Sequence, residues 1–184
     1  MGNTDSLVQS NVDDRFEDDI RTLRNFSFTT VNSDAASFRM HQLVQLAMRK
    51  RLEAHGQLEK WKLGSIRSLA REFPPGGFED WTKCQLLFPP TKLAMFQQLD
   101  TEDSLALLLH KAAIYAWRKG GLNEAEDMAI KAFKMRETLF GKESSETLNS
   151  INILGLVLDG QGKYDEALIM HRQAVAGFKK LLRD

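Results

Sequence analysis

Cysteine is almost missing from this chain: Cys84 is the only one among 184 residues, so no internal disulfide can form, which fits a reducing compartment. Proline is scarce as well, with 4 residues falling as the pairs Pro74-Pro75 and Pro89-Pro90. Net charge is lacking, because Lys+Arg and Asp+Glu balance at 25 each. That balance removes long-range attraction to nucleic acid or anionic membranes and gives little protection against association. No apolar run approaches the roughly 20 residues of a membrane span. The N-terminus has no basic-then-apolar leader, so a cytoplasmic protein is expected.

Catalytic constellations are also missing. The histidines are His41, His55, His110 and His171, and no pair has zinc-ligand spacing. No Gly-x-x-x-x-Gly-Lys-Ser/Thr occurs; Gly141-Lys142 is followed by Glu143 and lacks the upstream glycine. No serine, histidine and acid arrangement stands out. Cys84, beside Trp81 and Leu86, reads as core rather than nucleophile, since nothing near it in sequence would lower its pKa. The expectation is a protein that is not an enzyme, with no metal and no cofactor.

Two short patterns carry little weight. Met1-Gly2-Asn3-Thr4-Asp5-Ser6 fits the N-myristoylation pattern at Gly2. A single acyl chain needs a basic patch beside it, and the neighbours are Asp5, Asp13, Asp14, Glu17, Asp18 and Asp19. A membrane partner is therefore not expected. Asn25-Phe26-Ser27 is a glycosylation sequon without a secretory signal.

Apolar residues make up 42% and charged residues 27%, as in an ordinary globular protein. Residues 1–12 are polar and aperiodic, and read as a disordered tail. Phe16, Ile20 and Leu23 have helical spacing over 15–24. Phe26, Phe28 and Thr30 then alternate with Ser27, Thr29 and Val31 as a strand. Asn32-Ser33-Asp34 supplies a turn, and Ser37-Phe38-Arg39-Met40 the returning strand. His41 to His55 returns to helical spacing, with Gly56 placed to end it.

Trp61 to Phe73 predicts a helix stopped by Pro74-Pro75-Gly76-Gly77. Phe78 to Leu87 predicts a short helix stopped by Pro89-Pro90, and Thr91 to Gln98 another. Four more helices follow from Asp103 onward. The segments are a tail (1–12), a helix-hairpin-helix unit (13–58), a helical pair (59–100) and a repeat region (101–184).

The repeat decides the architecture. One shift carries Gly120 onto Gly162, Leu122 onto Tyr164 and Asn123 onto Asp165. The same shift carries Glu124 onto Glu166, Ala125 onto Ala167, Met128 onto Met170, Ala132 onto Ala174 and Leu139 onto Leu181. The glycines suit tight turns between antiparallel helices, where a missing Cβ relieves crowding. Asn123 and Asp165 are placed to N-cap the second helix of each pair, and Glu124 and Glu166 to face its dipole. The alanines let paired helices approach closely. Each hairpin buries its apolar side only by stacking on a neighbour, which makes a mainly α solenoid.

These residues resemble the tetratricopeptide family: Leu154-Gly155, Gly162, Tyr164, Ala167 and Ala174 fall at its signature spacing. The longer period is similar to the kinesin-light-chain type. Gly141-Lys142-Glu143-Ser144-Ser145-Glu146-Thr147-Leu148 looks like that subtype's linker, with Ser145 where proline is usual. The first repeat departs, carrying Ala112-Ala113 where Leu-Gly is expected.

Residues 15–55 resemble the winged-helix segment that follows the nucleotide-binding module in NB-ARC (STAND) switch ATPases. Fungal members of that class often continue into kinesin-light-chain-type repeats. Met40-His41-Gln42 sits where the family carries Met-His-Asp. By resemblance His41 would sense the β-phosphate of ADP; a helix-start packing role is the alternative. Without a phosphate loop, the chain is expected to be a piece of such a switch or a stand-alone remnant.

The resemblance implies a protein or peptide ligand in a concave groove lined by the first helix of each pair. The matching positions are His110, Ile114, Trp117 and Arg118, then Asn149, Asn152, Leu156 and Asp159. Trp117 reads equally as a residue packed between repeats. No polar capping helix follows Asp184. Either more repeats are missing or the end of the stack, from Leu154 to Leu182, pairs with another copy; self-association is the expectation. Arg49-Lys50-Arg51 with Lys60, Lys62, Arg67 and Arg71 is a local basic run. It keeps a second reading in view, a nucleic-acid-binding winged-helix adaptor; a solvated face is the simpler account. The reading that fits most residues is a non-catalytic protein-interaction module, the regulatory or sensor part of a STAND-type signalling switch.

Overall fold

The computed structural model describes residues 18–26, 28–31, 38–75, 77–97 and 102–183. Residues 1–12, the Gly2 pattern and the expected Asn32-Ser33-Asp34 turn lie outside them. The chain divides into two compact units, Met1–Trp61 and Lys62–Asp184.

In the first unit a helical segment over 18–25 (α1) precedes strands β1 (Thr29–Val31) and β2 (Phe38–Met40), then α2 (Gln42–Ala54). The strands are antiparallel, pairing Thr29 with Met40 and Thr30 with Arg39. The first strand is shorter than the alternation predicts. Phe26 and Phe28 instead close α1, their N–H groups donating to Thr22 O and Leu23 O. A free helix end takes those donors before the sheet can. Gly56 ends α2 at φ 64°, as the sequence predicts.

The second unit is helical. Its elements are α3 (Leu58–Glu72, which begins in the first unit), a 3-10 turn (Phe78–Asp80), α4 (Trp81–Met95), α5 (Asp103–Arg118), α6 (Leu122–Phe140), α7 (Ser145–Gly160) and α8 (Tyr164–Leu181). Pro89 and Pro90 do not stop a helix; both lie inside α4. Each proline deprives the carbonyl four residues back, on Gln85 and Leu86, of a donor. Both of those residues are exposed, so water can serve them. The buried face, Cys84, Thr91 and Ala94, keeps helical spacing across the prolines. Thr91 Oγ1 also donates to Leu87 O at 2.8 Å. Packing therefore overrides the local stop signal.

The repeat register is seen in the turns. Gly120 (φ 83°) and Gly162 (φ 78°) end α5 and α7 in the left-handed conformation. Gly120 N and Gly121 N donate to Trp117 O and Ala116 O; Gly162 N and Lys163 N donate to Asp159 O and Leu158 O. Both are the same paired closure of a helix end. Nothing lies within 4 Å of a Cβ built on either glycine. Backbone conformation, not crowding, therefore requires glycine there. The closure also starts the next helix early, with Gly121 and Lys163 at the N-cap. Asn123 and Asp165 thus fall in the first turn and make no side-chain cap, contrary to the sequence expectation. Glu124 and Glu166 lie in that first turn as expected. Ser144 caps α7, accepting from Thr147 N at 3.2 Å. Ser145 follows at the first helical position, the one place where a proline costs nothing.

The core runs through the stack. Leu105, Leu108 and Leu109 of α5 are fully buried with Ala125, Ala132, Ala167 and Ala174. Each such leucine contributes about 2 kcal/mol of apolar burial. Two lysines tie α3 and α4 to the repeats. Lys111 Nζ donates to Ala70 O (2.8 Å) and Phe73 O (2.9 Å) at the end of α3. Lys131 Nζ donates to Met95 O (2.6 Å) and Gln97 O (3.3 Å) at the end of α4. A cation at a helix C-terminus satisfies free carbonyls and suits the dipole. Burial pushes the Lys111 ammonium below the usual lysine range.

Candidate functional site

The first helices of the two repeats, α5 and α7, are in contact with one another. Their expected groove positions fall at helical spacing, so each set shares one helix face. Arg118, Asn149 and Asp159 are exposed; His110, Ile114, Asn152 and Leu156 are half-buried. Trp117 is also half-buried, and it packs against the cluster of Ala116, Ala125 and Val157. A Cβ built on Gly160 would lie 3.5 Å from its Nε1. Trp117 thus packs between the repeats, one of the two roles the sequence allowed.

Burial, with the charge of Arg136 added to it, pushes His110 down to about 4. The ring is therefore neutral near pH 7 and can donate from one nitrogen and accept at the other. Arg136, on α6, is itself buried. Its Nη1 donates to Glu146 O and to Ser150 Oγ, both at 3.1 Å, tying α6 to the start of α7. Asn152 is already engaged, its Oδ1 lying 3.2 Å from His171 Nδ1 on α8. The His171 ring lies close over Gly155, where an added Cβ would be 2.7 Å from Cε1. Arg136, Ser150 and His171 were missed in the sequence, because each acts across helices rather than along one. The only signal was the glycine in Leu154-Gly155, which marks a close approach without naming the partner.

His41 is the N-cap of α2, its Nδ1 accepting from Leu43 N at 3.2 Å. Among the described residues the Nε2 edge of the ring has no hydrogen-bond partner. A depression of about 290 Å³ beside it is lined by Phe28, Thr29, Arg39 and Gln42 among others. Thr29 is buried, and its Oγ1 has no hydrogen-bond partner among the described residues.

The basic run is partly neutralised. Arg49 and Lys50 both reach Glu53, Arg67 reaches Glu102 and Arg71 reaches Glu72. Cys84 is fully buried, and burial followed by Asp80 pushes its thiol up, which suits core packing. Among the described residues no group of three or more His, Cys, Asp or Glu is placed to hold a metal ion. No helix among them is long and apolar enough to cross a membrane.

Residues 103–180 match the tetratricopeptide repeat family. The chain is also similar to a nucleotide-binding leucine-rich repeat (NLR)-like protein of Hyaloscypha variabilis, 32% identical over 136 residues. That match covers 72% of this chain, and the chain spans 14% of the length of that relative. The match range coincides with α5 to α8 and with the paired glycine turns. Residues 103–180 of this chain are a tetratricopeptide repeat region.

Proposed function

We propose that the chain is a non-catalytic protein-interaction module that receives an extended peptide or a helix on the α5 and α7 face, as part of a STAND-type signalling switch. The observation that carries the reading is the row of Ile114, Arg118, Asn149, Leu156 and Asp159, which stays at least partly open on two helices in contact. It mixes apolar, amide and charged groups, the composition that orients a peptide while burying part of it. Asn149 can donate to and accept from a peptide backbone at once. The similarity to an NLR-like protein supports the switch context, and His41 beside its depression is the candidate nucleotide-sensing residue.

The test is a peptide-display selection on the chain, followed by calorimetry of the selected peptides. The double variant Asn149→Ala/Leu156→Glu is expected to bind them at least about tenfold more weakly. Its circular dichroism should match that of wild type. Equal affinity for both proteins would refute the groove.

A further inference from the structure

The repeat register shows what the outer side of α8 is built to meet. Its counterpart on α6 is covered by α7. Leu122 packs at Gly160, Gln161 Nε2 donates to Glu126 at 2.7 Å, and Phe133 joins Leu148 and Ile151. One repeat on, those α6 positions become Tyr164, Leu168 and Val175, which are 68%, 47% and 51% exposed. With His171 they form one apolar stripe along α8. A depression of about 350 Å³, lined by His171, Arg172, Val175, Ala176 and Lys179, opens beside it.

Charge says which occupant fits. The α6 and α7 pair is antiparallel, since Arg136 near the end of α6 holds the start of α7. A helix docked on that stripe in the same sense meets Lys179 with its N-terminal turn and Asp165 with its C-terminal turn, whereas Lys180 is held by Glu143 at 2.6 Å, away from the stripe. It must therefore be acidic at its start, basic at its end and apolar along one stripe. α8 itself has that pattern, with Asp165 and Glu166 in its first turn and Lys179 and Lys180 in its last.

We propose that α8 is a twofold interface and pairs antiparallel with α8 of a second copy. In such a pair the flank formed by Asp165, Arg172 and Lys179 meets itself in reverse. Asp165 faces Lys179 of the other copy at both ends, and the two Arg172 side chains meet near the axis. A helix of this length is about 27 Å long. One helix face buries less than a standard interface, so the dimer is expected to be weak and transient. This surface is separate from the α5 and α7 groove, and neither proposal depends on the other.

The test is sedimentation velocity of the whole chain over a concentration series. Wild type should dimerise, and Val175→Glu should be monomeric. Asp165→Lys and Lys179→Glu should each weaken the homodimer about tenfold. Mixing those two variants should restore association, because each new charge then faces its opposite. Arg172→Ala should tighten the dimer severalfold. The four positions substituted on α8, Asp165, Arg172, Val175 and Lys179, are all exposed, and equal helicity by circular dichroism checks the fold. A wild type that stays monomeric at the highest concentration overturns the proposal. So does a dimer that survives Val175→Glu, that is lost instead with Leu93→Glu on α4, or that mixing fails to restore.

Discussion

The two repeats share one register and differ in what surrounds them. α5 and α7 bury similar sets of residues, and both end on the same left-handed glycine turn. Their second helices diverge. α6 buries Ala125, Met128, Ala129, Ala132, Met135 and Arg136, whereas α8 buries only Ala167 and Ala174. The small residues that set helix approach are common to both. The larger ones are buried only where another helix lies on top. Position in the stack, rather than the repeat pattern, decides how much each helix contributes to stability.

That difference can be broken first in the core. Leu109→Ala on α5, at a fully buried site, should cost about 3 kcal/mol in urea unfolding. Leu168→Ala on the open α8 stripe should change stability by less than about 0.5 kcal/mol. Equal losses at the two sites would contradict the account.

A pH series sharpens the same contrast. His110 sits near 4 when folded, against about 6.5 when unfolded, so the unfolded chain takes up the proton first. Its share of stability is complete above about pH 6.5 and is lost as pH falls toward 4, reaching on the order of 3 kcal/mol. His110→Leu should flatten that segment of the stability curve measured by denaturant titration.

Two glycine substitutions separate crowding from backbone strain. Gly155→Ala would push a Cβ into the His171 ring and should cost about 2 kcal/mol. His171→Ala in the same chain should recover part of that loss. Gly162→Ala and Gly120→Ala meet no neighbour, so each should cost only about 1 kcal/mol, and by the same amount in both repeats. Thermal unfolding of the three single variants would rank them.

Much of this was legible in sequence. Helical spacing located α5 to α8. The shift carrying Gly120 onto Gly162 located both turns, because left-handed closure is a local requirement that glycine announces. The groove positions were carried over from the resemblance to the tetratricopeptide family, and their role is a proposal. What was not legible depends on contacts between helices. Pro89-Pro90 looked like a stop because local chemistry says so, and only the buried face of α4 shows why it is not. Asn123 and Asp165 looked like caps, but the glycine closure moved the helix start past them. Trp117 remained ambiguous until Gly160 was placed beside it. Lys111, Lys131 and Arg136 reach carbonyls of other helices, a role that no spacing along the chain announces.

The most direct test of the groove is hydrogen exchange of the whole chain with and without a peptide taken from display selection. The account predicts added protection concentrated on α5 and α7, with α8 unchanged. Protection confined to α8, or none on α5 and α7 at saturating peptide, would contradict it.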